Sequence, residues 1–159
     1  LGYLISISAL LPETLTVAAE STMQNAVLII NKIHSARAMA FVIKGLYYSN
    51  TKNKSVQNEA LIQHLANNLV QMYRDEADKE WQWFEPYLSY ANSILPEAML
   101  YAWLATTEKL YKDIAKSSFD FLLSKIFKDN CIKVVSNKTW LYKGEAAARV
   151  VTGVSSPLV

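Results

Sequence analysis

Ser35-Ala36-Arg37-Ala38-Met39-Ala40-Phe41-Val42-Ile43-Lys44-Gly45-Leu46 is the stretch on which the fold assignment turns. Its apolar residues cover nearly the whole circumference of a helix, and a helix that is apolar all round is buried all round. Ser35 supplies an N-cap, so the pattern predicts a helix over 36–48. The polar run Ser49-Asn50-Thr51-Lys52-Asn53-Lys54 then connects to a second helix capped by Ser55 and reaching about residue 77. Here Leu61, Ile62, Leu65, Leu69, Met72 and Tyr73 fall on one face only. That helix keeps a solvent side.

The same sequence of events recurs downstream. Asn92 or Ser93 is placed to cap a helix with Pro96 in its first turn, where a missing N–H costs little. Glu97 suits the positive end of that helix. Ala98-Met99-Leu100-Tyr101-Ala102-Trp103-Leu104-Ala105 is again apolar on every side. From Thr107 a one-faced helix follows, with Leu110, Ile114, Phe121, Leu122 and Phe127 apolar and Lys112, Asp113 and Lys116 facing out. A buried helix followed by a half-exposed one, twice over, predicts an all-α fold of antiparallel helical hairpins in two layers. Such layers close into a toroid or continue as an open α-α superhelix, and periodicity does not choose between them. The helices at 36–48 and 95–106 are expected on the inner side, with Phe41, Ile43, Leu100 and Trp103 covered.

Upstream, Leu1 to Leu11 reads as the end of a helix whose beginning lies before it, stopped by Pro12. Apolar residues at 15, 19, 23, 26, 30 and 33 then trace an amphipathic helix, although Leu28-Ile29-Ile30 suits a strand equally well. Four glycines and four prolines interrupt little.

The chain has 159 residues, 52% hydrophobic and 19% charged, enough to bury a single core and incompatible with disorder. Its net charge is +2 and the basic residues are scattered, so no stripe tracks a phosphate backbone and nucleic acid is not expected as a partner. Cys131 stands alone, which excludes an internal disulfide framework. With only His34 and His64 and no HExxH pair, no metal site and no cofactor are expected. The apolar start is too short to span a bilayer and lacks a basic leader, so no membrane partner is expected. One cysteine leaves the compartment open, with the cytoplasm favoured.

Chemistry concentrates in Trp81-Gln82-Trp83-Phe84-Glu85-Pro86-Tyr87-Leu88-Ser89-Tyr90-Ala91-Asn92-Ser93-Ile94-Leu95-Pro96-Glu97. Aromatic faces beside carboxylates and amides are what a sugar-binding cleft requires: flat rings stack on pyranose C–H faces while Glu and Asn bond hydroxyls. The same residues also serve as the core and caps of a helix–loop corner. Glu85 and Glu97 are the candidate catalytic carboxylates, since glycoside cleavage needs two about 5–10 Å apart. Arg37, a charge in an apolar helix, is either the ion-pair partner of a carboxylate such as Glu85 or a clamp on a ligand. Trp81, Trp83, Tyr90 and Asn92 are the other candidate ligand-binding residues. The two tryptophans point to opposite sides if extended, so only one can offer a stacking face.

The Ser35–Leu46 segment, followed by Trp81-Gln82-Trp83-Phe84-Glu85, Leu88, Tyr90, Asn92, Leu95-Pro96 and Ala98, resembles a bacterial helical family of the six-hairpin glycosidase superfamily, often described as glycosyltransferase-associated. Phe119-Asp120-Phe121-Leu122 and Trp140-Leu141-Tyr142-Lys143-Gly144-Glu145 extend the likeness over about 10–145. The resemblance implies an (α/α)6 toroid with working residues at the mouth of a central funnel, and a carbohydrate-active role beside glycosyltransferase or glycosidase systems. The competing expectation is a non-catalytic helical scaffold or interaction module. This chain offers about half the helices of a closed ring. It therefore reads as a fragment, with residues 1–145 an incomplete single domain and 146–159 a tail that loses the family pattern. Half a ring is expected to associate, as a homo-oligomer or within a longer chain, and to recognise glycans without hydrolysing them.

Overall fold

A computed structural model describes residues 1–135 and 140–145, the side chain of Asn31 excepted. The expected tail at 146–159 lies outside these residues. The fold is all-α. Helices α1 (Gly2–Ser6), α2 (Glu13–Val27), α3 (Ala36–Lys52), α4 (Val56–Glu76), α5 (Ile94–Thr106) and α6 (Lys109–Ile126) follow one another, with a long connection, 77–93, between α4 and α5. Four two-residue strands, β1 (Tyr87–Leu88), β2 (Phe127–Lys128), β3 (Cys131–Ile132) and β4 (Leu141–Tyr142), form two small antiparallel ladders, β1 with β4 and β2 with β3.

Local signals account for most boundaries. The Ser35 hydroxyl accepts the Ala38 amide at 3.4 Å and Ser55 accepts that of Asn58 at 3.3 Å, each satisfying a donor that the first helical turn leaves open. The α3 helix runs four residues beyond the expected 48. Asn50 fixes its end to the next cap, its Oδ1 accepting the Ser55 amide at 3.1 Å. Thr107 does not start α6; it ends α5 in the left-handed region at φ 61°. Glu108 caps α6 instead, accepting the Leu110 amide at 3.5 Å. The stripe expected from 15 to 33 stops being α-helical at Val27 and tightens into a 3-10 turn at Ile30–Lys32, not a strand.

Contacts arrange the helices in two layers. In one layer α3 lies between α1 and α5; α4 packs behind α3 and α5, and α6 packs on α5 and α4. The approach of α1 to α3 is backbone against backbone: a Cβ at Gly2 would overlap the Gly45 carbonyl, which only glycine avoids. Met39, Ile43 and Leu46 from α3, Ile62, Leu65 and Leu69 from α4, and Leu95 and Met99 from α5 fill the centre. Trp83, Phe84 and Leu88 from the 77–93 connection close it on one side.

All-round burial of α3 and α5 requires correction. Ile43 is fully buried and Trp103 half-buried, but Phe41 is 55% and Leu100 43% exposed. Three hairpins cover only part of each inner helix. The uncovered part includes Leu104 beside Leu100, with Phe119 exposed on α6.

Candidate functional site

The connection from α4 to α5 is built around Asp78, Trp81 and Asn92. Asp78 Oδ1 accepts the amides of Glu80 and Trp81 at 2.8 and 2.9 Å, turning the chain after α4. The Trp81 indole N–H then donates to the Glu85 carbonyl at 2.8 Å. Asn92 locks the following turn: its Oδ1 accepts the Ser89 amide and its Nδ2 donates to the Ser89 carbonyl, both at 3.0 Å. The expectation that Asn92 or Ser93 caps α5 through a side chain is thereby corrected. The Asn92 amide is spent on its own turn, and Ser93 makes no side-chain cap bond.

Arg37, on the first turn of α3, reaches into this connection and organises it. Its Nη1 donates to Glu85 Oε2 at 2.5 Å, its Nε to the Tyr90 carbonyl at 2.8 Å, and its Nη2 to Asn92 Oδ1 at 3.1 Å. Both charged side chains are nearly buried, 8% exposed for Arg37 and 11% for Glu85. The guanidinium also lies 5.1 Å from the centre of the Tyr90 ring, a cation–π distance. Tyr90 itself is 56% exposed. One cation thus gathers Glu85, Tyr90 and Asn92.

Other candidates are placed elsewhere. Trp81 and Trp83 are core residues, packed edge-on against Phe121 and Phe84 respectively, so neither offers the stacking face expected of one of them. The Trp83 indole N–H has no hydrogen-bond partner among the described residues. Glu97 pairs with Lys44 at 2.7 Å. Arg37 and Lys44 are seven residues apart on α3, about 10 Å along its axis, so the two carboxylates are held by different cations. Glu97 borders an apolar groove of about 450 Å³ between α5 and α6, lined also by Pro96, Leu100, Lys112 and Phe119. A second cleft of about 740 Å³ is bordered by Asp78, Lys79, Trp81, Lys125 and Lys143. Neither concavity is lined by Glu85.

The β1–β4 ladder supplies residues that the motif reading passed over. Tyr87 lies opposite Tyr142 and Leu88 opposite Leu141. This sets the Trp140 ring 4.8 Å and the Tyr142 ring 6.1 Å from that of Tyr87, centre to centre. Trp140 is 39% exposed and Tyr142 likewise faces solvent. The Tyr87 hydroxyl donates to Glu85 Oε1 at 3.4 Å. Burial, and then the Glu85 charge, pushes the Tyr87 hydroxyl above the usual tyrosine range, so it stays protonated as a donor. The signal was present in the spacing Trp140-x-Tyr142, which on a strand puts both rings on one face.

Exposed Tyr90 therefore lies against an ion pair whose polar atoms are already engaged, Glu85 Oε2 by Arg37 and Oε1 by Tyr87, and Tyr87 links the pair to Trp140 and Tyr142. The arrangement offers flat apolar surface with a fixed polar edge. The two candidate carboxylates are held apart, Glu85 by Arg37 and Glu97 by Lys44. Among the described residues no cluster of three or more His, Cys, Asp or Glu could hold a metal, and no helix is long and apolar enough to cross a membrane. These features define an all-α protein of layered hairpins with an aromatic corner. No family model, curated protein or solved structure matches the chain.

Proposed function

We propose that this chain is a glycan-recognising part of a helical carbohydrate-active protein, working beside a glycosyltransferase or glycosidase system, and that it does not hydrolyse glycosides. One observation carries the reading: exposed Tyr90 lies over Arg37 of the Arg37–Glu85 pair, and exposed Trp140 and Tyr142 pack on Tyr87, whose hydroxyl donates to Glu85. A sugar lying on such rings buries its C–H face, and the polar edge orients its hydroxyls. The layered hairpins with an uncovered inner face agree with a segment of an (α/α)6 toroid. Separate engagement of Glu85 and Glu97 supports recognition without bond cleavage, which requires both carboxylates on one scissile bond.

The test is titration of the purified chain with cellohexaose, β-linked, and maltohexaose, α-linked, followed by tryptophan fluorescence and product analysis. Binding of at least one is expected, weakened about 3- to 10-fold in Trp140→Ala or Tyr90→Ala, the loss of one stacking contact. Failure to bind either sugar, or binding indifferent to both substitutions, overturns the reading. Turnover that disappears in Glu85→Gln overturns the non-hydrolytic part.

A second reading, a helical scaffold, is favoured by the way Arg37 spends its donors on tying α3 to the 85–92 segment. It predicts no sugar binding and full sensitivity of stability to Arg37. In both readings the uncovered apolar surface of α5 and α6 mediates homo-oligomerisation or packing within a longer chain.

A further inference from the structure

The Trp140–Tyr142 wall of the aromatic corner hangs on little secondary structure. A ladder of two residues joins it to β1, and so short a hairpin-like pairing is marginal by itself in water. The segment is instead fastened through Lys143. The Lys143 amide donates to the Pro86 carbonyl at 2.9 Å. Its ammonium donates to the Glu76 carbonyl at the end of α4 at 2.6 Å, and lies 3.0 Å from both the Glu76 and Asp78 carboxylates. Beyond it, Gly144 at φ +83° permits the turn that lets Glu145 Oε2 accept the Tyr142 amide at 3.3 Å.

Asp78 makes this more than a surface ion pair. One of its oxygens meets Lys143, and the other holds the amides of Glu80 and Trp81. Trp81 in turn holds the Glu85 carbonyl. A continuous run of hydrogen bonds therefore joins residues 140–145, which bear Trp140 and Tyr142, to the loop bearing Glu85, Tyr87 and Tyr90. Both walls of the corner are referenced to the same carboxylate.

We propose that Lys143 is a positioning residue for glycan recognition, setting Trp140 and Tyr142 against Tyr87 by tying residues 140–145 to the end of α4 and to Asp78. The proposal rests on the glycan reading above. Lys143 touches no sugar; it acts by preorganising the stacking face, so that ordering is not charged against binding.

The experiment compares wild type, Lys143→Met and Lys143→Arg by amide hydrogen exchange and by titration with cellohexaose and maltohexaose. In Lys143→Met, exchange at residues 141–145 is expected to accelerate at least tenfold while that of α3–α5 stays unchanged, and affinity for the bound sugar to fall about tenfold. Lys143→Arg, which keeps the charge and its donors, is expected to recover most of both. Adding Trp140→Ala to Lys143→Met is expected to weaken binding little further, because the stacking face is already lost. Unchanged exchange in Lys143→Met overturns the positioning role whatever the sugars do, and so does faster exchange with undiminished affinity. Wild-type protein that binds neither sugar overturns the glycan reading, with the exchange result still deciding whether Lys143 fastens the strand.

Discussion

Replacing Glu85 by alanine leaves Arg37 with its hydrogen bonds to the Tyr90 carbonyl and Asn92 but without the carboxylate 2.5 Å away, in a side chain only 8% exposed. At an effective dielectric of about 20, two unit charges about 4 Å apart interact by roughly 4 kcal/mol. Stranding one member of a buried pair costs about 3–5 kcal/mol, because the remaining charge keeps its desolvation penalty. Against a typical total of roughly 5–15 kcal/mol that is a large fraction. At about 2–4 °C per kcal/mol for a chain of this size, Tm falls by roughly 6–20 °C. Arg37→Met is expected to cost about as much, since it strands Glu85 with only the Tyr87 hydroxyl. Combining Arg37→Met with Glu85→Ala removes both charges and is expected to recover much of the loss. Urea unfolding of the four proteins gives the coupling energy, expected above about 2 kcal/mol. Single variants costing less than about 1 kcal/mol, or strict additivity, would refute the argument that this pair holds α3 to the loop.

The remaining expectations concern alkaline pH and association. Burial raises the hydroxyls of Tyr73, Tyr87 and Tyr111 above the usual tyrosine value, and the hydrogen bond with Tyr48 does so for Tyr101. The stability these groups support is complete below the unfolded value near pH ~10 and is lost as pH rises through the higher folded values, because the unfolded chain releases those protons first. Tyrosinate absorbance is expected to show part of the nine tyrosines titrating only together with loss of helical circular dichroism. All nine ionising normally in the folded state would contradict this. Leu100 and Phe119 both line the α5–α6 groove and are exposed. Leu100→Glu with Phe119→Glu is therefore expected to convert an associating chain to monomer by sedimentation velocity, and a wild type already monomeric at high concentration would refute self-association.

Helix identity was legible in the sequence because 3.6-residue apolar spacing, Ser35 and Ser55 caps and a Pro96 near a helix start are local properties that each segment carries alone. Hence α3, α4 and α5 begin within one residue of where their sequences put them, and the Arg37–Glu85 pair is one of the two alternatives that a charge in an apolar stretch left open. What only the tertiary structure decided depends on contacts between distant segments. Whether an all-round apolar helix is buried all round depends on how many neighbours surround it, and three hairpins leave Phe41 and Leu100 in solvent. Which aromatics become core and which become surface was equally undetermined, because Trp83 and Trp140 are the same chemistry in sequence. Trp83 lies in a loop folded over α4 and α6, whereas Trp140 reaches Tyr87 only through a pairing more than fifty residues away along the chain. Local patterns encode the elements; the aromatic corner exists only once long-range hydrogen bonds from Arg37, Asp78 and Lys143 bring its walls together.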